Sequence, residues 1–130
     1  MNFNHAMIYS RDVTKALAFY KDRLGLILLE EFNHHGMSVY ARLQSPGSDS
    51  TIALHLLERG GTLTTGGVRL YFEIEDLDGA VARLQAEGVE FTKLPAMMPW
   101  GWKHAYLNDP DGHEVSLYLA GEKRTQKAHA

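Results

Sequence analysis

Apolar positions along this chain switch from a period of two to helical spacing, and the switch happens twice. Residues 3–9 alternate and predict a strand. Ser10 or Asp12 can cap the helix that follows, because a side-chain oxygen there accepts the unpaired amide hydrogens of a first turn. Val13, Leu17, Tyr20 and Leu24 then recur at helical spacing, and Gly25 stops the helix. An offset of 64 repeats the pattern: residues 68–74 alternate, Asp76 caps, Leu77, Val81 and Leu84 share a helix face, and Gly88 stops it. Asp12 and Asp76, Ala16 and Ala80, and Ala18 and Ala82 are identical pairs. The agreement of strand, cap, stripe and stop predicts a duplicated unit.

Each helix precedes strand-like runs, over 26–32, 37–43 and 51–57 in the first half and 89–94, 102–107 and 113–119 in the second. Asn33-His34-His35-Gly36 reads as a turn, and Asp109-Pro110-Asp111-Gly112 suits a type I turn. Residues 60–67 form a Gly/Thr-rich linker by composition. The expected class is α+β: two βαββ modules in tandem, over 1–58 and 68–120, joined by a linker over 59–67 and followed by a polar tail over 121–130. Their curved mixed sheets are expected to form an open half-barrel cup with helices outside, as one compact domain.

Alternation also sorts the strand faces. Leu70, Phe72 and Ile74, Ile52, Leu54 and Leu56, and Val115, Leu117 and Leu119 should lie under the helices, as should Ala6 and Ile8. The opposite faces carry His5, Met7 and Tyr9, Ala53, His55 and Leu57, Arg69, Tyr71 and Glu73, and Glu114, Ser116 and Tyr118. That mixture is too polar for a core and too aromatic for a solvent face, and it fits the lining of a small-molecule pocket. The segment from Pro95 through Trp102, with Met97, Met98, Trp100 and Trp102, reads as a rim in which one tryptophan stacks on a ligand and the other anchors the loop. His104 alternates with Lys103, so its face depends on register. His34, His35, His113 and His129 read as turn, edge or tail residues.

Composition removes several function classes. The chain has 130 residues, a formal charge of −3 and no cysteine. The negative balance argues against nucleic acid, and the missing thiols exclude a disulfide framework or cysteine nucleophile. There is no basic, apolar leader and no run long enough to span a bilayer, so a cytoplasmic protein without a membrane partner is expected. No nucleophile elbow, phosphate loop or His-Glu-x-x-His motif occurs.

The run over residues 5–25, including His5, Asp12, Phe19, Tyr20 and Gly25, resembles the vicinal-oxygen-chelate superfamily of glyoxalase I, bleomycin-resistance proteins and extradiol dioxygenases. Trp100-Gly101-Trp102 and the stretch from Asp109-Pro110-Asp111-Gly112 to Tyr118 are similar to that family's closing strands. The resemblance spans about residues 3–120 and specifies fold more than function. It implies four metal-ligand positions, which match here to His5, His55, Arg69 and Ser116. Only the histidines are ordinary metal ligands, Arg69 is permanently cationic, and a hydroxyl is a weak donor.

Two functions follow as expectations. The first is a bleomycin-resistance-like protein that binds a small aromatic or acidic compound without a cofactor. Its ligand-binding residues would be His5, Met7, Tyr9, His55, Arg69, Tyr71, Glu73, Trp100, Trp102, Glu114, Ser116 and Tyr118. The alternative is a glyoxalase- or dioxygenase-type enzyme holding Zn, Ni, Fe or Mn through His5, His55 and a carboxylate such as Glu114 or Glu73. Arg69 would grip a carboxylate or phosphate in the first reading, or pair with Glu73, or with Glu114 across the sheets. The resemblance further implies a homodimer.

Overall fold

The computed structural model describes residues 1–121, so the polar tail lies outside the described residues except for Gly121. The chain divides into two units between Thr65 and Gly66, inside the Gly/Thr-rich stretch. The first unit runs β1 (Ala6–Ser10), α1 (Val13–Leu17), β2 (Ile27–His34), β3 (Met37–Gln44) and β4 (Thr51–Leu56). The second runs β5 (Arg69–Glu73), α2 (Leu77–Ala86), β6 (Lys93–Met97), β7 (Lys103–Asn108) and β8 (Glu114–Leu119). Each unit forms its own four-stranded sheet, in the orders β1-β4-β3-β2 and β5-β8-β7-β6. In both, the strand before the helix pairs in parallel with the last strand, and the other pairs are antiparallel. The duplicated unit is therefore real at the level of strand order and pairing direction.

The caps work as the sequence requires. Asp12 Oδ1 accepts from Lys15 N at 3.1 Å, Ser10 Oγ accepts from Asp12 N at 3.1 Å, and Asp76 Oδ1 accepts from Gly79 N at 3.0 Å. Gly25 and Gly88 take the left-handed conformation, with φ of 81° and 90°. One departure concerns α1, which widens into a π-helical segment over Ala18–Arg23, with Leu24 N donating to Phe19 O at 3.0 Å. The wide turn lets the consecutive rings of Phe19 and Tyr20 both face inward, edge to face at 4.9 Å, while Leu24 stays only partly buried.

The helices pack on one face of their own sheets. In the first unit Val13, Ala16, Leu17 and Tyr20 are buried in a core with Ile8, Ala41, Leu43 and Leu54. In the second, Leu77, Val81 and Leu84 stand in a core with Ala105, Leu107, Val115 and Leu117. Both sets follow the alternation expected of the strands.

One turn and one strand differ in detail from expectation. The β2–β3 connection is a two-residue turn, because His34 already pairs with Met37. His35 and Gly36 adopt φ of 51° and 74°, the positive pair that a twisted hairpin favours. The sixth strand begins at Lys93, later than the alternation over 89–94 predicts. Val89 N still closes the end of α2 on Leu84 O at 2.9 Å, so that stretch is engaged before the strand starts. Pro95 then falls inside an edge strand, at the register shift between Lys93 and Ala96, where its missing amide costs no ladder bond.

Candidate functional site

The open face of the second sheet is an aromatic layer. Trp102, His104 and Tyr106 alternate along one side of the β7 segment, and across the ladder His104 pairs with Tyr118 and Tyr106 with Ser116. Trp102 stacks on Tyr118 at 5.3 Å with 4° between the planes. Tyr118 stacks on His104 at 5.2 Å, and His104 on Tyr106 at 5.9 Å. Tyr71 meets His104 and Tyr118 edge-on at 5.8 and 6.0 Å. Strand register alone produces this row, since residues two apart share a face and opposed residues touch.

His104 stands in the middle, only 2% exposed. Its Nε2 lies 3.3 Å from Trp100 Nε1, and its Nδ1 lies 3.0 Å from Ser116 Oγ. An indole N–H only donates, so Nε2 is the acceptor and the single imidazole proton sits on Nδ1, which donates to Ser116. Burial pushes the His104 pKa down, and the positive charges of Arg69 and Lys93 push the same way, so the neutral ring is favoured. Alternation alone leaves the face of His104 open, and the spacing Trp102-x-His104-x-Tyr106 is the signal in the sequence for its place in the layer.

Arg69 closes one end of the layer. Its guanidinium lies 4.5 Å from the centre of the Tyr106 ring, donates to Glu114 Oε2 at 3.1 Å and donates to the Tyr71 hydroxyl at 3.3 Å. Its pKa is raised, first by the Tyr71 hydrogen bond, so the group stays cationic. Glu114 does not reach Arg69 across the sheets. It lies directly opposite on β8, paired with Arg69 in the parallel ladder of the same sheet. A cleft of about 220 Å³ opens here, lined by Arg69, Thr92, Tyr106, Leu107, Asn108 and Glu114. Glu73 lies further along the same face, opposite Tyr118.

The two tryptophans differ in exposure. Trp102 is partly buried in the stack and anchors the loop, whereas Trp100 is 49% exposed at the hairpin tip between β6 and β7. Ser116, 0% exposed, lies beneath the imidazole and is held by it.

The first sheet builds a different open face. Phe32 pairs with Tyr40, Tyr40 with His55, and His55 with Tyr9, so four rings cross the sheet in one row. Met7 lies on the same face, opposite Ala53. His5 and His55 are not brought together: His55 pairs with Tyr9, while His5 precedes Ala6, whose partner is Ile52. Four residues of strand rise, about 13 Å, separate the two positions. Register also changes the equivalence between the halves. Ser116 pairs with Tyr71 and Ala53 with Met7, so the counterpart of Ser116 is Ala53, which has no donor atom, and not His55.

These contacts decide whether a divalent ion suits the residues present. His5 Nε2 accepts from Arg42 Nη2 at 3.2 Å, and Nδ1 donates to Asn4 Oδ1 at 2.6 Å, so both ring nitrogens are engaged, one of them by a cation. Arg42 also donates to the Tyr40 hydroxyl at 3.1 Å. His55 Nδ1 donates to Leu56 O at 2.7 Å, which leaves Nε2 as a donor atom for a metal. A common metal site needs about three or four protein ligands, and among the described residues no group of three or more His, Asp or Glu side chains is placed to hold one. The donor set does not fit a resident divalent ion.

No helix among the described residues is long and apolar enough to cross a membrane. Several known proteins are similar to this chain in sequence or in fold. A probable lactoylglutathione lyase of Synechocystis is 27% identical over 126 residues, covering 92% of this chain and 96% of that protein. A superfamily member from Sphaerobacter thermophilus is 31% identical with a TM-score of 0.73, covering 92% of this chain and 98% of the other. TnmS3, an antibiotic binding protein from a Streptomyces species, is 26% identical with a TM-score of 0.75, covering 93% and 98%. The profile of the Glyoxalase/Bleomycin resistance protein/Dioxygenase superfamily matches residues 2–117, and the chain belongs to that superfamily.

Proposed function

We propose that this protein binds a small planar aromatic acid on the open face of its second sheet, without a metal cofactor. One observation carries the reading: a continuous row of stacked rings, Trp102, Tyr118, His104 and Tyr106, ends at a guanidinium seated on Tyr106. Rings stacked on one another leave their edges for a flat ligand to meet edge to face, and the Arg69 fork offers a carboxylate paired hydrogen bonds in exchange for its bond to Glu114. The cleft is smaller than the roughly 300–1,000 Å³ of a drug-sized site, so it suits the acidic end of a ligand whose rings lie along the layer. The likeness to an antibiotic binding protein supports a sequestering role. The same reading carries a cytoplasmic homodimer, which light scattering at micromolar concentration checks.

Thermal melts with and without a series of aromatic carboxylates test the binding. A binder at a hundred times its Kd stabilises the fold by about 2.7 kcal/mol, so naphthoates should raise Tm where cyclohexanecarboxylate does not. Protein purified without chelator that carries near-stoichiometric zinc, nickel, iron or manganese, lost in His5→Ala and His55→Ala variants, would support the enzyme reading instead.

A further inference from the structure

Trp100 places its indole N–H against His104 Nε2, a buried acceptor in the aromatic layer. It sits at the tip of the β6–β7 hairpin, whose backbone is closed by Met98 N to Trp102 O at 2.8 Å and Gly101 N to Met98 O at 2.9 Å. Its ring meets His104 edge-on at 5.5 Å. Trp100 is about half exposed, while His104 is buried. Because the hairpin bonds are backbone bonds, the indole can swing off His104 by side-chain rotation alone.

We propose that Trp100 is a stand-in for the ligand, and that His104 Nε2 is a specificity-determining acceptor. It selects a planar aromatic molecule that carries a neutral N–H or O–H donor at one end and an acid at the other. The inference deepens the proposed function and rests on it. Its logic is the polarity of the imidazole. Nδ1 gives its proton to Ser116, so Nε2 can only accept. A ligand that displaces Trp100 must bring a donor of its own, or leave a buried acceptor unpaired. Sites built around such a group reject analogues that lack the donor far better than apolar pockets reject a change of shape. The stacked rings set the planarity, and Arg69 on Tyr106 at the other end of the layer receives the acid.

The test is calorimetric titration with two probes, 6-hydroxy-2-naphthoate and 6-methoxy-2-naphthoate, which differ only in the donor. The hydroxy acid should bind about tenfold tighter, the scale of one buried hydrogen bond. In His104→Phe the two should bind equally. In Trp100→Phe, which removes the competing indole N–H and leaves the layer beneath intact, both should bind tighter with the tenfold ratio preserved. Equal affinities in the unsubstituted protein would overturn the role of His104 while the aromatic-acid reading stands. Weaker binding of both probes in Trp100→Phe would make Trp100 a direct contact and overturn the displacement. Binding of neither probe at millimolar concentration would overturn both this inference and the proposed function.

Discussion

Ser116 Oγ accepts a hydrogen bond from His104 Nδ1 at 3.0 Å, and the two residues are 0% and 2% exposed. A hydroxyl thus stands at one of the four positions where the family resemblance implies a metal ligand, and it holds a neutral imidazole in one tautomer. Ser116→Ala would leave the Nδ1 proton buried without a partner. The expected cost is about 1–3 kcal/mol, read as a lower urea midpoint at unchanged slope. An unchanged midpoint would mean that the bond contributes nothing to the fold.

His104 also predicts a pH dependence. Its folded pKa lies below the unfolded value of 6.5, because burial disfavours the charged ring and Arg69 and Lys93 repel it. Below pH 6.5 the unfolded chain takes up a proton that the folded chain refuses. Stability therefore falls as pH drops through that value, by at most about 1.4 kcal/mol per pH unit, and levels off below the folded pKa. Denaturation at several pH values between 7 and 5 should show a shallower decline for His104→Gln than for the unsubstituted protein, and parallel curves would contradict the assignment.

Arg69 separates binding from stability. Its ion pair with Glu114 has side chains 37% and 46% exposed, so the pair contributes within about 1 kcal/mol. Arg69→Ala should leave the melting temperature within a few degrees of the original and weaken an aromatic carboxylate at least tenfold. Equal loss of affinity for an uncharged aromatic amide would show that the guanidinium supports the layer and does not receive the acid.

Much of this fold was legible in the chain itself. Duplication, caps and strand faces rest on local chemistry, such as Asp12 and Asp76 at helix starts and the alternation through Leu70, Phe72 and Ile74. What stayed hidden depends on register between strands. That Glu114 lies beside Arg69 in one sheet, that Ala53 and not His55 corresponds to Ser116, and that His104 sits over Ser116 are facts of the ladders. Alternation gives a face but not a neighbour. The start of β6 was obscured for another reason, since Pro95 and the register shift beside it break the period-two signal.

The hairpin turn offers a check on the first unit. Gly36 has φ of 74° with open space where a Cβ would point, so Gly36→Ala meets only backbone strain. The expected cost is about 1–2 kcal/mol. Denaturant unfolding measures it, and a cost near zero would contradict the positive-φ turn.

In the proposed function, rings and a guanidinium recognise the ligand with no ion between it and the protein. The sharpest test is the Kd of 6-hydroxy-2-naphthoate, titrated into protein stripped with chelator and again after adding zinc, nickel, iron or manganese. One unchanged Kd under all conditions, lost in Arg69→Ala, is the predicted result. Binding that appears only with a metal, and disappears in His55→Ala, would contradict it.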